Sequence, residues 1–326
     1  MRFLHYILFF LFVTGKLFAQ DSNFSQFFAN PLYLNPALTG TSELPRLTMN
    51  YRNQWPQKGA TYTTYSVSYD QILKNSKTGL GFQLIRDQEL NNVINSNSAS
   101  AFYSHHIQLG LQSFLTLGVQ SGITLKQFNI NNLVFPSGID QMSGKISEYV
   151  MADNSGEKRF YPDFAVGALG QHGEYYWGTA IHHFTRPDES IIKGDQKGRV
   201  PVKATLHAGA MLFRLHHGLL SRFFTLSPNI LYQQQGSFKQ LNLGIYMVEK
   251  SFIVGGWYRN NIDVRPDALI AMAGFTKGKL RIGYSFDLTL SKLSNYSYGS
   301  HEISLMFHLG QKKDSNHRNK LLIPMI

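Results

Sequence analysis

The 326-residue chain contains no cysteine. Disulfides, thiolate nucleophiles, cysteine-ligated zinc, iron–sulfur clusters and a lipidated N-terminal cysteine are thereby excluded together. Charge is also scarce: Asp, Glu, Lys and Arg make up 16% of the sequence, against about 25% in an average soluble domain. Beyond residue 19 no apolar run approaches the ~18 residues that a transmembrane helix requires. In place of charge there are aromatic residues at 13% and 28 glycines, with a mean hydropathy of only −0.19. A helical membrane protein would be more apolar and a cytosolic enzyme more charged. The combination suits a β-barrel with one apolar face and one wet face.

At the N-terminus Arg2 precedes an almost unbroken apolar stretch, Phe3 to Val13, and Leu17-Phe18-Ala19 precedes Gln20. This order of basic, apolar and small-residue regions is that of a secretory signal peptide, residues 1–19, cleaved after Ala19. An uncleaved anchor is the weaker reading, because the apolar run is short for a membrane span. Loss of Arg2 and Lys16 leaves 29 basic against 20 acidic residues, a net charge of +9 compared with +11 for the whole chain.

Past residue 45 the dominant pattern has period two. In Leu280 to Leu288 every even position is apolar and every odd one small or polar; Ile303, Leu305, Phe307 and Leu309 alternate with Glu302, Ser304, Met306 and His308. Leu241, Leu243, Ile245 and Met247 oppose Gln240, Asn242, Gly244 and Tyr246, and Leu47, Met49, Tyr51 and Trp55 oppose Arg46, Thr48, Asn50, Arg52 and Gln54. Alternation over nine or more residues makes long two-faced strands, the length that a membrane-crossing strand needs. Fourteen such runs begin near Arg46, Tyr62, Thr78, Ser98, Gln112, Tyr161, Glu174, Pro201, Ser221, Ser237, Ser251, Asp267, Lys279 and Gly299. Short connections (Gln71 to Lys77, Ile107 to Leu111, Gln171 to Gly173, His216 to Leu220, Glu249-Lys250, Thr276 to Gly278) alternate with longer ones (Asp87 to Asn97, Phe128 to Phe160, Phe184 to Val200, Leu290 to Tyr298). Sorting of loops by length predicts an all-β fold: a transmembrane antiparallel barrel of about 14 strands in the outer membrane, with both termini in the periplasm.

The expected organisation is a signal peptide (1–19), an N-terminal segment (20–45), the barrel (46–310) and a periplasmic tail (311–326). Asn30-Pro31 and Asn35-Pro36 disfavour helix and inner strand alike, so the N-terminal segment is expected to fold against or into the lumen. Within the tail, polar residues give way to Leu321-Leu322-Ile323-Pro324-Met325-Ile326, which reads equally as a docking peptide or as a frayed end.

The polar parity of the strands carries Arg46, Arg52, Asp70, Lys203, Arg281, Asp287 and Glu302. Strands 13, 14, 1 and 2 are consecutive around a closed ring, so Arg46, Arg52, Asp70, Arg281, Asp287 and Glu302 are expected to form one lumenal network, because charges in such an interior pair or stay hydrated. That network either clamps the N-terminal segment as a plug or lines a water-filled pore. The plug is the preferred reading, since the Asn-Pro segment has no other obvious place to pack.

Three adjacent histidine pairs, His105-His106, His182-His183 and His216-His217, invite a metal. Strand neighbours point to opposite faces, so none chelates as a helical i, i+4 pair does, and they read as polar residues near the interface or in turns. No metal or other cofactor is expected. His301 and Ser304 fall on opposite strand faces and no Gly-x-Ser-x-Gly elbow is present, which argues against an outer-membrane lipid hydrolase; no catalytic residue set emerges. Lys74, Lys77, Lys250, Lys277, Lys279, Lys312, Lys313, Arg318 and Lys320 fall in the expected periplasmic turns and tail, without the aromatic interleaving of a nucleic-acid site. They read as contacts to anionic headgroups or an acidic periplasmic partner, Lys312, Lys313, Arg318 and Lys320 above all, or equally as solvated turns.

Phe24-Ser25-Gln26-Phe27 with Asn30-Pro31-Leu32-Tyr33-Leu34-Asn35-Pro36-Ala37-Leu38-Thr39-Gly40 resembles the opening motif of the PorP/SprF family of outer-membrane proteins. Tyr51-Arg52-Asn53-Gln54-Trp55-Pro56, then Ser68-Tyr69-Asp70 and Gly79-Leu80-Gly81, are similar to its next signatures, and Gly283 to Asp287 and Gly299 to Leu305, with His301-Glu302, to its terminal strands. Phe28-Ala29 and Leu38-Thr39 vary around the first motif. The resemblance spans essentially the whole mature chain. It implies a non-enzymatic component of, or accessory to, the type IX secretion system of Bacteroidota, which binds, anchors or helps deliver a secreted surface protein such as a gliding adhesin. Implied partners are outer-membrane lipid, that large surface protein, and periplasmic lipoprotein or peptidoglycan-binding components, with no nucleic acid. A passive or substrate-selective porin is the alternative.

Overall fold

The computed structural model describes residues 21–56, 61–74, 77–129, 158–190, 198–217, 222–262, 265–290 and 298–310. The segment 1–19 expected to be a signal peptide, most of the loop between Phe128 and Phe160, and the tail with Lys312, Lys313, Arg318 and Lys320 lie outside the described residues.

Period-two sequence becomes strand throughout: β1 (Arg46–Gln54), β2 (Tyr62–Ile72), β3 (Thr78–Glu89), β4 (Ile94–Gln108), β5 (Ser113–Phe128), β6 (Lys158–His172), β7 (Tyr175–His182), β8 (Lys203–Ala210), β9 (Leu212–His217), β10 (Arg222–Gln235), β11 (Phe238–Glu249), β12 (Phe252–Asn261), β13 (Arg265–Lys277), β14 (Leu280–Thr289) and β15 (Ser300–His308). Every pairing is antiparallel, and β1 is bonded on one side to β2 and on the other to β15, which closes the sheet on itself. β8 and β9 are two halves of one stave. Both pair with β10, β8 along Asn229 to Gln235 and β9 along Arg222 to Leu226, with a register shift at Thr225/Leu226. Fourteen staves therefore make the ring. Closure leaves no free sheet edge in the apolar zone, the condition for β-structure to cross a bilayer.

Burial is inverted relative to a soluble protein. In β1 the inward residues Arg46, Thr48, Asn50 and Arg52 are buried; Ser66, Ser68, Asp70, Gln83, Ser104, Asn242, Ser285, Asp287 and Glu302 are likewise inside. Outside stand Val67, Phe82, Leu84, Leu117, Val119, Ile123, Leu206, Leu243, Ile245, Leu269 and Ile303. An apolar outer band on a polar-lined ring has lipid as its only favourable surroundings. Among the described residues no helix is long and apolar enough to cross a membrane.

Both termini of the ring and the tight turns Gly173–Glu174, Lys250–Ser251 and Gly278–Lys279 share one end; the connections between Phe128 and Lys158 and between His182 and Lys203 are at the other. Gly278 takes φ +60° in its two-residue turn, the left-handed geometry such hairpins require. One connection departs from expectation. Asp87 to Asn97 is not a long loop: β3 runs to Glu89, β4 starts at Ile94, and Asp87 pairs with Ser96. Above the lipid band both faces of these strands are polar (Asp87, Gln88, Glu89, Asn95, Ser96, Asn97), so alternation fades while the hydrogen-bond ladder continues.

Candidate functional site

Inside the ring lies the chain's own N-terminal segment. Its Asn-Pro pairs build three short turns: a 3-10 turn at Phe27–Ala29, one helical turn at Pro31–Leu34 and a second 3-10 turn at Pro36–Leu38. Proline opens each of the last two, where its fixed φ suits the helix and its missing N–H is not needed. Asn35 caps the last turn: its Oδ1 accepts from the Ala37 N–H at 2.9 Å. Residues 24–40 are buried except Tyr33, which is half-buried. The segment descends from Asp21, bonded to Gln235 and Lys203 at the long-loop end, to Gly40, bonded to Asp70 at the short-turn end.

Three kinds of contact hold it. The first is apolar: Phe27 and Phe28 meet Trp257, Tyr176 and Tyr246, with the Phe27 and Trp257 rings 5.0 Å apart and edge-on, and Leu169, Leu231, Ile253 and Met306 complete the core. The second is close backbone approach. Asn35-Pro36-Ala37 lies against Gly118 of β5 and Gly167 of β6, where a Cβ would overlap Pro36, Ala37 and the Asn35 amide. Asn35 Nδ2 donates to the wall carbonyls of Ala168 and Thr179, both at 3.1 Å. Only glycine leaves room for a second backbone this near.

The third is charge. Arg52 bridges Asp287 at 3.0 Å and Glu302 at 3.2 Å, and Arg259 reaches Asp287 at 2.9 Å. Ser25 sits at their centre. Its hydroxyl donates to Asp287 (2.5 Å) and accepts from Arg52 (2.6 Å) and Arg259 (2.7 Å), using its one donor and both lone pairs. Its backbone N–H donates to Glu302 at 2.7 Å, and Gln26 donates from Nε2 to the Glu302 carbonyl at 2.9 Å. Two guanidiniums against two carboxylates leave the cluster neutral. Nearer the short-turn end, Arg46 donates two bonds of 2.8 Å to Asp70, whose Oδ2 also accepts from the Gly40 N–H at 2.8 Å; Arg46 further donates to the Leu38 carbonyl at 3.2 Å.

Five of the six residues expected to make one network thus form two clusters. Arg46 and Arg52 are six positions apart on one strand, about 20 Å at ~3.3 Å per residue, too far for a shared partner. Arg281, the sixth, is half-buried on β14 opposite Met306. Arg259 was not anticipated. Both parities of β12 carry apolar residues (Ile253 and Trp257 inward, Val254 and Tyr258 outward), so the strand's inner face has no simple signature.

A third cluster, at the long-loop end, was also not anticipated. Asp21 takes Lys203 at 3.3 Å and His183 Nε2 at 2.9 Å, while His183 Nδ1 meets Asp163 at 2.9 Å. The Lys203 ammonium lies 4.7 Å from the Tyr33 ring centre. Burial alone would raise the Asp21 carboxyl, but His183 and Lys203 hold it well below the usual value. Burial opposes a charged His183, yet Asp21 and Asp163 raise it to about 10. His183, expected as an interface or turn residue, lies in the turn after β7 and from there carries a charge into this cluster. His105 is exposed, and His106 is bonded to Ser104 and Thr116. Among the described residues no group of three or more acids and histidines is arranged to hold a metal ion.

The remaining motif residues have places in wall and plug. Asn30 accepts from Gln83 at 2.8 Å beside Pro31. Tyr51 packs on Tyr65 outside the wall, Asn53 pairs with His301, Gln54 ends β1, and Trp55 stacks edge-on with Tyr62 before Pro56. His301 meets the Tyr284 hydroxyl at 2.8 Å on the outer face.

A family model described as type IX secretion system membrane protein PorP/SprF matches residues 16–307. The chain belongs to the PorP/SprF family. That membership, with the lipid-facing wall, makes it an outer-membrane barrel and a membrane component of type IX secretion. No curated protein sequence matches it. Among solved structures the family member is similar to the Ralstonia pickettii toluene transporter TbuX (11% identity, 86% of this chain and 93% of that one, TM-score 0.49) and the Acinetobacter baumannii outer membrane protein Omp33 (7%, 83% and 100%, 0.46). A Pseudomonas aeruginosa FadL homologue follows at 12% identity, 84% and 92% coverage and TM-score 0.44.

Proposed function

We propose that this PorP/SprF barrel, exported by its N-terminal signal, is a non-enzymatic binding module: it anchors or helps deliver a secreted surface protein, such as a gliding adhesin. The loops at the long-loop end hold that protein. The short turns, with exposed Lys74, Lys77, Lys250, Lys277 and Lys279, and the tail with Lys312, Lys313, Arg318 and Lys320, face the periplasmic lipoprotein or peptidoglycan-binding parts of the machine. The charge clusters serve to clamp the plug. The observation that carries the reading is the filled lumen. Residues 24–40, all buried but Tyr33, stand across the path a solute would take, which favours a scaffold over a passive or selective porin.

Affinity purification from native outer membranes after mild cross-linking tests it. Recovery of a large secreted surface protein or of periplasmic secretion components is expected. A partner-free barrel from cells making all those components would overturn the anchoring role and leave the porin to be tested by conductance.

A further inference from the structure

Between the plug and the long-loop end is a vestibule, partly open to solvent. Its charged lining runs against the basic balance of the chain. Among the described lining residues, Asp21, Asp87, Glu89, Asp163 and Glu189 face it with Lys126, Lys203 and His183 as counter-ions, so acids outnumber cations by two in a chain of net charge +11. The surplus is localised. Lys126 is bound to Glu189 at 2.7 Å, and Lys203 and His183 are engaged by Asp21 and Asp163. Among the described residues Asp87 accepts only from the Thr64 hydroxyl, at 2.5 Å, and Glu89 meets no hydrogen-bond or ion-pair partner. Independently, His182 is 7% exposed and lines the same space with its Nε2 unpartnered. A buried polar nitrogen without a partner is costly unless a ligand or water completes it.

We propose that this vestibule binds an extended cationic peptide carrying lysine or arginine at alternate positions. Asp87 and Glu89 are two residues apart on the inner face of β3, so their carboxylates repeat at about 6.6–7 Å. Alternate side chains of an extended peptide have that same repeat, which brings successive basic groups to the two acids. His182 Nε2 then bonds the peptide main chain. A calcium ion fits less well: two carboxylates supply at most four of the 6–8 oxygens it takes. The site stands on the barrel alone and uses the secretion reading only for its peptide's origin in a delivered protein.

The full chain in detergent micelles, titrated into fluorescein-labelled Lys-Ser-Lys-Ser-Lys and followed by anisotropy, tests the proposal. The double variant Asp87→Asn/Glu89→Gln is expected to bind at least tenfold more weakly with unchanged heat-modifiable gel mobility, and a peptide of acetylated lysines not to bind. A peptide with three contiguous lysines is expected to bind less tightly than the alternating one. Equal binding by wild type and double variant, equal binding of the two lysine patterns, or displacement of the peptide by micromolar calcium would each overturn it. Intact peptide binding with no partner recovered from membranes would instead remove the anchoring role and leave the site.

Discussion

At the scale of single residues, the interior is a set of mutual obligations among buried charges. Arg52 holds two carboxylates, and Ser25 ties both to the plug. Arg52→Met leaves Glu302 without its arginine and Asp287 with Arg259 as its remaining one, both buried in the interior. Removing one side of a buried pair costs about 3–5 kcal/mol, so the variant should unfold at markedly lower urea, as read by tryptophan fluorescence. Lys74→Met, on an exposed turn, should change stability by less than about 0.5 kcal/mol; equal effects would refute the assignment of Arg52 to a buried cluster. His183 sets a pH window. Its value is raised to about 10 from 6.5, so its share of the hold on Asp21 is complete below about pH 6.5 and lost as pH rises through 10. Asp21 is shifted down from 3.8, so its share is present above that pH and lost only in acid. Because the chain has no cysteine, a spin label on Ser22→Cys reports this cleanly. Its motion should increase between pH 9 and 11, and a spectrum unchanged to pH 11 would show that His183 does not pin the tip.

The plug behaves as an element because each of its contacts needs the others: the Asn35 cap sets the last turn, which sets Pro36-Ala37 against Gly118. Deleting residues 21–41 should produce steady conductance in a planar bilayer where the wild type gives little, while Asn35→Ala should give brief openings; a wild type that conducts as well as the deletion would mean the segment does not block the ring. Strands were legible because lipid outside and polar residues inside enforce strict alternation, as in Leu280 to Leu288, and their starts fell within a few residues of the observed ones. Legibility failed where one of those surroundings changes. Above the lipid, β3 and β4 are polar on both faces, and their extensions passed for a loop. Facing the plug's Phe27 and Phe28, β12 is apolar inside as well, and this hid Arg259. Met211 interrupts one stave without any glycine or proline beside it to announce the break between β8 and β9. For the site, parity identified Arg46, Arg52, Asp70, Asp287 and Glu302 as inward, but pairing depends on height along the barrel, which parity does not encode.

At the scale of the whole molecule, two solvents decide the sign of every substitution. The ring's outer band would be a liability in water: Leu243 is 45% exposed in the middle of β11, between Ile230 and Tyr258, and Ile245 beside it is 49% exposed. Its inner neighbour Asn242 is fully buried. For a water-facing strand, Leu243→Arg would be harmless or helpful, because a half-exposed leucine contributes little and an arginine is well hydrated. For a strand facing hydrocarbon the same change places a guanidinium near the bilayer midplane, where barrels lose about 2–4 kcal/mol. Urea titration of the protein folded into phospholipid vesicles separates the two. A loss in that range is expected for Leu243→Arg, and a smaller one for the same substitution at Leu288, close to the long-loop end of β14, because the penalty falls toward the interface. Equal, negligible losses at both positions would contradict a membrane-facing wall. A large loss at Leu288 with none at Leu243 would place the hydrocarbon band at the wrong height along the staves. The gradient between the two sites is the signature that only a bilayer, and not a soluble partner covering the barrel, imposes on this pattern.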